Sequence, residues 1–528
     1  MIYPIVVPFL QLFPKRMMEP WLSTSQVWRL WKIGHQPFAS VGSDSFMLSS
    51  PNGNMLWTCD IDITRQLWLQ TTKSTDIPGD MIKFYDIYGP NLGSSEGDEW
   101  KMHRRMVTSG FTQETNHAGW REAIDQTTMM LNRIMEEGGI VPVLKDWTNR
   151  LALHVLNGVM FAERLIWQDV TGTSEPVPHG HTISYQSAAF TVVERLATLF
   201  MVPKGLLRWL PGKFFAEARE GYDEWTNYML EKRSEVLKNI DQVAKKKYKT
   251  LLESIVIAGT PGPTQPDARP LPEASILGNI FFTQMAGHET TGNSTAFLIF
   301  LLALYPEAQL KIQKELDDVL GDRPKDEWSV EKDYSALLNG YMGAVQKEGL
   351  RLFGVVQFVP RRVNAPLTVM DSNGNKRIVP KDTFVYLSMS ANFRNPKYWK
   401  RRDINSSLRE EIHDSPAVDF DPERWRNGSV PEYIGEVPLF TPFGQGARQC
   451  PGKGFAQIEL TAILATLFKK YSVELVVDDK VLESCKGNAA EAWEKTRNAA
   501  MRTLVDGVTC NIAISMTKEL PLRIFERL

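Results

Sequence analysis

The stretch FGQGARQCPG, Phe443 to Gly452, holds a lone cysteine between glycines with an arginine two residues before it. Gly444 and Gly446 permit tight turns and close backbone approach. Beyond Gly452 runs KGFAQIELTAILATLFKKY, in which Leu460, Leu464, Leu467 and Tyr471 mark a helical stripe. Cys450 therefore stands just before a helix N-terminus, where the dipole and the free N–H groups lower a thiol's pKa and favour the thiolate. A thiolate that accepts amide hydrogen bonds suits an iron ligand, and Arg448 is near enough in sequence to pair with an acidic cofactor substituent. A dinucleotide-binding reading of the same glycines fails. The third glycine would fall at 449, which is Gln, and the pair Gly452 and Gly454 meets Gln457.

Around this stretch, 528 residues at 43% hydrophobic and 23% charged give ordinary globular composition, enough chain to enclose an internal pocket. Sixty Lys and Arg against 62 Asp and Glu leave a formal charge of -2, so no global basic field draws nucleic acid. The four cysteines, Cys59, Cys450, Cys485 and Cys510, form no CxxC pair and are too sparse for a disulfide framework, which fits a reducing compartment.

The expected fold class is mainly α, an α+β arrangement with small sheets at the N-terminal and C-terminal flanks. Helical periodicity runs through Thr112 to Gly139 and Glu217 to Trp225. Strand-like pieces gather at Gly42 to Cys59, Val355 to Phe384, and at the C-terminus in VTCNIAIS and LPLRIFERL. Ala258 to Ala274, with five prolines and two glycines, reads as an exposed loop. The expected organisation is an apolar segment over 1–25 and one domain over 26–528. The segment is too short for a regular span and carries Pro4, Pro8 and Pro14, leaving three readings: a degenerate anchor, a buried strap or a truncated signal-anchor. Leu199 to Phe215 mixes Trp, Phe and Leu with Lys204, Arg208 and Lys213, as either an interfacial segment or a core helix-loop-helix would.

After the proline-rich stretch comes a helix of about 33 residues, apolar nearly all round and so buried. In its middle sits AGHETT, Ala286 to Thr291. Polar groups inside such a helix need partners. The bland reading has Thr290 bonding a carbonyl one turn back. The sharper one has a pocket wall where Glu289 and Thr290 relay protons. His288-Glu289 begins an H-E-x-x-H zinc motif, but position 292 is Gly, so the second ligand is missing. Glu348 and Arg351 lie three apart on a helix, by default a surface pair, and with Arg424 of FDPERW they form a candidate buried network.

Together these residues resemble the cytochrome P450 haem-thiolate monooxygenases, in particular eukaryotic, fungal-type microsomal members. The family's cysteine loop is met by Phe443, Gly444, Gly446, Arg448, Cys450 and Gly452; its E-x-x-R by Glu348 and Arg351; its P-E-R-[FW] by Pro422 to Trp425; its oxygen-side motif by Ala286 to Thr291; and its W-x-x-x-R by Trp100 and Arg104. The resemblance implies haem b (iron-protoporphyrin IX) with Cys450 as the iron ligand. Trp100, Arg104, Arg448 and Arg361 or Arg362 would bind the propionates, with Arg361 taken first, and Glu289 and Thr290 would deliver protons. It implies oxidation of a lipophilic small molecule, by hydroxylation or oxidative coupling, in secondary metabolism. It further implies O2, electrons from a separate NADPH-cytochrome P450 reductase, and a place on the cytosolic face of the endoplasmic reticulum membrane. A reductase-independent isomerase or peroxygenase and a non-catalytic haem protein are the alternatives; Glu289-Thr290 argues against the first. Two features depart from the family: LFGVVQF lacks the frequent proline pair after Arg351, and His288 puts a titratable group in the variable position of AGHETT. Phe281, Phe282, Met285 and Val355 to Phe358 are the expected pocket walls. The sequons at Asn293, Asn405 and Asn427 are expected to be unused.

Overall fold

The structure is a computed structural model, and it describes residues 30–50, 53–69, 74–167, 176–260, 271–399, 419–426, 433–434, 437–510 and 513–527. The N-terminal segment over 1–25 and the sequons at Asn405 and Asn427 lie outside the described residues.

Along the chain the main elements are α1 (Gln36–Val41), β1 (Ser45–Ser50), β2 (Gly53–Thr58), α2 (Ile61–Leu69), β3 (Thr75–Asp76), α3 (Gly97–Thr108), α4 (Gln113–Glu136), β4 (Ile140–Val141) and α5 (Leu144–Phe161). Then come α6 (Tyr185–Glu194), α7 (Leu196–Met201), α8 (Lys204–Leu207), α9 (Lys213–Lys238), α10 (Leu251–Gly259), α11 (Glu273–Leu304), α12 (Pro306–Leu320) and α13 (Tyr341–Leu352). The last third carries β5 (Phe358–Val363), β6 (Leu367–Met370), β7 (Lys376–Val379), β8 (Phe384–Ser388), β9 (Tyr433–Ile434) and β10 (Val437–Pro438). It ends with α14 (Lys453–Lys470), β11 (Tyr471–Leu475), α15 (Ala489–Asp506), β12 (Val508–Cys510), β13 (Ile514–Met516) and β14 (Leu522–Glu526). Helix dominates and the sheets are small, as expected.

The chain divides into two compact units. One takes in the described residues of Met1–Thr75, Ala344–Arg448 and Leu475–Leu520. Its sheet has the order β1-β2-β8-β5-β3. β1 and β2 form an antiparallel hairpin running from Ser45↔Thr58 to Ser50↔Gly53, β8 joins β2 in parallel, and β5 returns antiparallel to β8. One face packs Leu56, Leu67, Trp68, Val363, Val385, Leu387 and Phe393 into a shared core.

The other unit, Asp76–Gly343 with Gln449–Glu474 and Pro521–Leu528, is almost wholly helical. Thr112 caps α4 by accepting from the Thr115 amide, and Gly138 and Gly139 close that helix with φ of 93° and 77°. α10 opens with a capping box between Thr250 and Glu253. It runs through Gly259, and α11 begins at Glu273, so helix takes both ends of the stretch read as loop from Ala258 to Ala274. α11 is 32 residues long and buried on nearly every side; it turns by 109° into α12 at Tyr305, with Pro306 at the first helical position. α5 lies along α11 and α4 along α14. Gly292 makes the first contact possible, since a Cβ there would stand 2.2 Å from Asn149 Oδ1. Gly119 does the same for the second, where a Cβ would meet the Phe455 ring at 2.4 Å. α14 is apolar on all faces rather than along one stripe, and Tyr471 opens β11 instead of ending the helix.

Candidate active site

In the helical unit, Gly452 is the N-cap of α14 and Cys450 stands just ahead of it. Cys450 is the exposed one among the four free cysteines; Cys59, Cys485 and Cys510 are buried. The sequence led to a lowered thiol pKa; the thiol is instead raised, although the Gly452 amide and the Arg104 guanidinium both favour the thiolate. Burial outweighs them and pushes the thiol up.

Arg104 reaches this loop directly, its Nη1 donating to the Gln449 carbonyl at 2.6 Å. Trp100 lies one turn earlier on α3, in a cluster with Leu92 and Val107 against which Phe111 and Phe282 pack.

α11 presents one break in its burial. Phe282, Ala286, Gly287, Glu289 and Thr290 are half-buried, while Phe281, Thr283, Gln284, Met285 and His288 are buried. Spacings of four and three put Phe282, Ala286, Glu289 and Thr290 on one helix face. Of the expected pocket walls on this helix, Phe282 is half-buried on that face, and Met285, three after Phe282 and four before Glu289, shares the spacing but is buried. Burial raises the Glu289 pKa against the pull of Lys145. Thr290 Oγ1 donates to the Ala286 carbonyl at 2.7 Å, so the bland hydrogen bond is made and the hydroxyl oxygen still accepts. His288 turns elsewhere. Its Nδ1 is 2.8 Å from the Gln284 carbonyl, which can only accept, so Nδ1 carries the hydrogen, and burial lowers the ring's pKa and keeps it neutral.

Gln284 was not singled out in the sequence. Trp225 Nε1 of α9 donates to its Oε1 at 3.0 Å, and its Nε2 donates to the Tyr185 hydroxyl of α6. One buried amide thus ties α6, α9 and α11 together, and partners so distant in sequence leave no local signal. Asn293 is 1% exposed, in the buried helix expected around its sequon.

In the sheet-bearing unit, Gly444 and Gly446 have φ of 69° and 74°. A Cβ on Gly446 would lie 2.6 Å from the Trp68 carbonyl and one on Gly444 3.2 Å from the Trp68 ring. These positions need glycine for conformation and for space. Arg448 ends the 3-10 turn that follows and is half-buried. The pair in FVPRRV parts by strand alternation: Arg361 is fully buried with its guanidinium 4.9 Å above the Trp68 ring, while Arg362 is half-buried over Phe384. Trp68 therefore supports both the glycine turn and Arg361, a role hidden in the sequence by its place on α2. Val355 is buried and Val356 is 42% exposed.

Glu348 is 0% exposed, so the surface-pair default gives way to the network. Arg351 grips it through Nε at 2.8 Å and Nη2 at 2.7 Å, Arg424 Nε donates at 3.0 Å, Trp425 Nε1 at 2.9 Å and the Asp421 amide at 3.1 Å. Burial pushes this carboxyl up, but the two guanidiniums and the amide hold it below its usual value.

The family model described as Cytochrome P450 matches residues 54–495. A cytochrome P450 monooxygenase of Arthrobotrys oligospora is 25% identical over 501 residues, covering 87% of this chain and 81% of its own. The phomenoic acid biosynthesis cluster cytochrome P450 monooxygenase of Leptosphaeria maculans is 25% identical over 459 residues, covering 81% and 75%. Human cytochrome P450 4F2 is 23% identical over 475 residues, covering 84% of each. The match brings the family's cofactor, haem b held through a cysteine thiolate, and its monooxygenase chemistry. With the family model spanning most of its length, this chain belongs to the cytochrome P450 family.

Proposed function

We propose that the enzyme hydroxylates or oxidatively couples a lipophilic small molecule in secondary metabolism, with Cys450 as the thiolate ligand of its haem. The observation that carries the assignment is the exposed Cys450 just ahead of α14, with the Gly452 amide and Arg104 acting on its sulfur. In the helical unit the residues fit the group: a soft donor for iron in Cys450, a cation opposite in sign to a propionate in Arg104, and an open face on an otherwise buried α11, while Arg361 and Arg448 of the other unit carry the same positive charge. Trp100, one turn before Arg104 on α3, is read with it as a propionate contact. Haem b, when bound, supplies reductive activation of O2 at a thiolate-held iron.

The chain's own residues handle protons and exclude water. The carboxyl of Glu289, raised by burial, holds its proton to higher pH than an exposed one, and Thr290 Oγ1 offers an acceptor and a hydroxyl on the same helix face. This acid-alcohol pair supports an O2-using reaction over a peroxide-using one. Phe282 and Ala286 line that face with apolar surface. The secondary-metabolism reading draws on the Leptosphaeria relative's biosynthetic cluster.

Electrons come, on this reading, from NADPH-cytochrome P450 reductase, with the exposed Lys453 among the cations available to an acidic partner face. Contact with the endoplasmic reticulum membrane is supported by the Leu199–Phe215 segment, where Phe200, Met201, Leu206, Trp209 and Phe214 are exposed among Lys204, Arg208 and Lys213. Among the described residues no single helix is long and apolar enough to cross a membrane.

The carbon monoxide difference spectrum of the reduced protein tests the ligand. Wild type is expected to give the strongly red-shifted Soret band of thiolate-held haem, and Cys450→Ser to lose it. An unchanged band in the variant overturns the assignment, and NADPH consumption with added reductase then tests turnover.

A further inference from the structure

The hairpin of β1 and β2 is closed by a cluster that haem chemistry does not use. His35 precedes α1, Asp44 precedes β1 and Cys59 follows β2. His35 Nε2 lies 3.1 Å from Asp44 Oδ1, and Cys59 Sγ lies 3.7 Å from the same oxygen. The imidazole nitrogen, the carboxylate oxygen and the sulfur all fall within 4.8 Å of one another. Tetrahedral zinc, with bonds of about 2.0–2.3 Å, spaces its ligand atoms about 3.3–3.8 Å apart. The two separations to Asp44 Oδ1 lie in or close to that range.

Hydrogen bonding alone accounts for part of the cluster, since Asn395 Nδ2 also donates to Asp44 Oδ1 at 3.2 Å. It does not account for the donor set. Borderline nitrogen, hard oxygen and soft sulfur from three chain segments match zinc's preferences. The sulfur is 1% exposed, so metal held there would be shielded on one side. On the other side His35 and Asp44 line a cavity of about 650 Å³ together with Ser43, Asp60 and Ser372, which leaves room for a water as fourth ligand. Lys397 Nζ is 4.0 Å from Asp44 Oδ2; on Oδ1 a metal would replace the His35 and Cys59 hydrogen bonds and compete with the Asn395 amide.

We propose that His35, Asp44 and Cys59 form a site for a zinc-class divalent ion, with three protein ligands and one open position on the adjoining cavity. Binding forms the metal–sulfur bond and releases the Cys59 thiol proton to solvent, with no change of oxidation state. The ion would pin α1 to the β1–β2 hairpin.

The test is equilibrium dialysis of the haem-loaded full chain against zinc, with bound zinc and iron counted by mass spectrometry. One zinc per haem iron is expected, bound at least tenfold more weakly in His35→Gln and in Cys59→Ala. The carbon monoxide spectrum reports folding of each variant, and His35→Gln, which alters a half-buried side chain, suffices if Cys59→Ala does not fold. Absence of stoichiometric zinc in wild type overturns the proposal. So does zinc binding that His35→Gln leaves unchanged, which would mark surface binding elsewhere.

Discussion

Glu459, on the helix that Cys450 introduces, is 1% exposed, and its Oε1 has no hydrogen-bond partner. Burial alone pushes its carboxyl well above the usual range. The folded protein therefore keeps a proton that the unfolded chain releases near the ordinary value of 4.5. With more protons bound in the folded state, stability falls as pH rises from that point towards the folded pKa. Glu459→Gln removes this dependence. Its melting temperature, measured by circular dichroism on haem-loaded protein, is expected to exceed wild type at pH 8, and the gap is expected to narrow by pH 5. An equal difference at both pH values would mean that the carboxyl is ionised in the fold. Glu348 shows the opposite solution to the same burial, a carboxylate kept charged by two arginines. The sequence marked Glu348 through its spacing with Arg351, whereas Glu459 is one acid in an apolar run, and nothing local tells a buried acid from one on a helix's wet side.

α11 was readable because its cause is local: apolar residues on every side, bounded by Pro272 and Pro306, fix a buried helix and both its ends. Its contacts were not, since they depend on which glycines meet what. A Cβ on Gly278 would stand 2.4 Å from the Gly89 carbonyl oxygen and 2.7 Å from that of Pro90, both backbone atoms. One on Gly287 would meet only the end of the Leu156 side chain, at 2.9 Å. Alanine gains about 1 kcal/mol over glycine inside a helix. Overpacking costs about 1–3 kcal/mol, near the upper end where backbone must move. Gly278→Ala is therefore expected to lose roughly 1–2 kcal/mol net, and Gly287→Ala to stay near wild type because Leu156 can rotate away. Urea unfolding midpoints check the order, and equal losses would show that the Gly278 contact yields as easily as a side chain. The same distinction explains the rest of the site. Cys450, Arg448, Glu289 and Thr290 sit in short motifs whose spacing names them. Trp68 and Gln284 act through residues far along the chain, and the different burial of Arg361 and Arg362 follows from the strand's facing.

Taken across the whole protein, a formal charge of -2 gives no general attraction to an anionic lipid surface, so membrane contact must come from a local patch. The exposed apolar side chains between Phe200 and Phe214 are such a patch: Trp209 is 84% exposed, Met201 69% and Phe200 50%, while Leu199 and Leu207 turn inward and hold α7 and α8 in place. Lys204 is partly committed, donating to the Ile87 carbonyl and the Tyr222 hydroxyl, which leaves Arg208 and the exposed Lys213 as the freer cations. Burying one large apolar side chain in a membrane interface is worth about 1.5–3 kcal/mol, against which a single basic residue adds about 1 kcal/mol. Apolar loss should thus outweigh charge loss. Trp209→Ser with Phe200→Ser is expected to weaken partitioning of the full chain onto vesicles of mixed neutral and anionic phospholipid at least tenfold, and Arg208→Gln by several-fold at most. The thiolate band of the carbon monoxide spectrum should stay intact in both. Flotation of the vesicles measures the partition, and repeating it at high salt separates the two contributions, since only the charge component is screened. If the double serine variant floats as wild type does, the segment from Leu199 to Phe215 is not the membrane contact, and its exposed tryptophan serves some other partner.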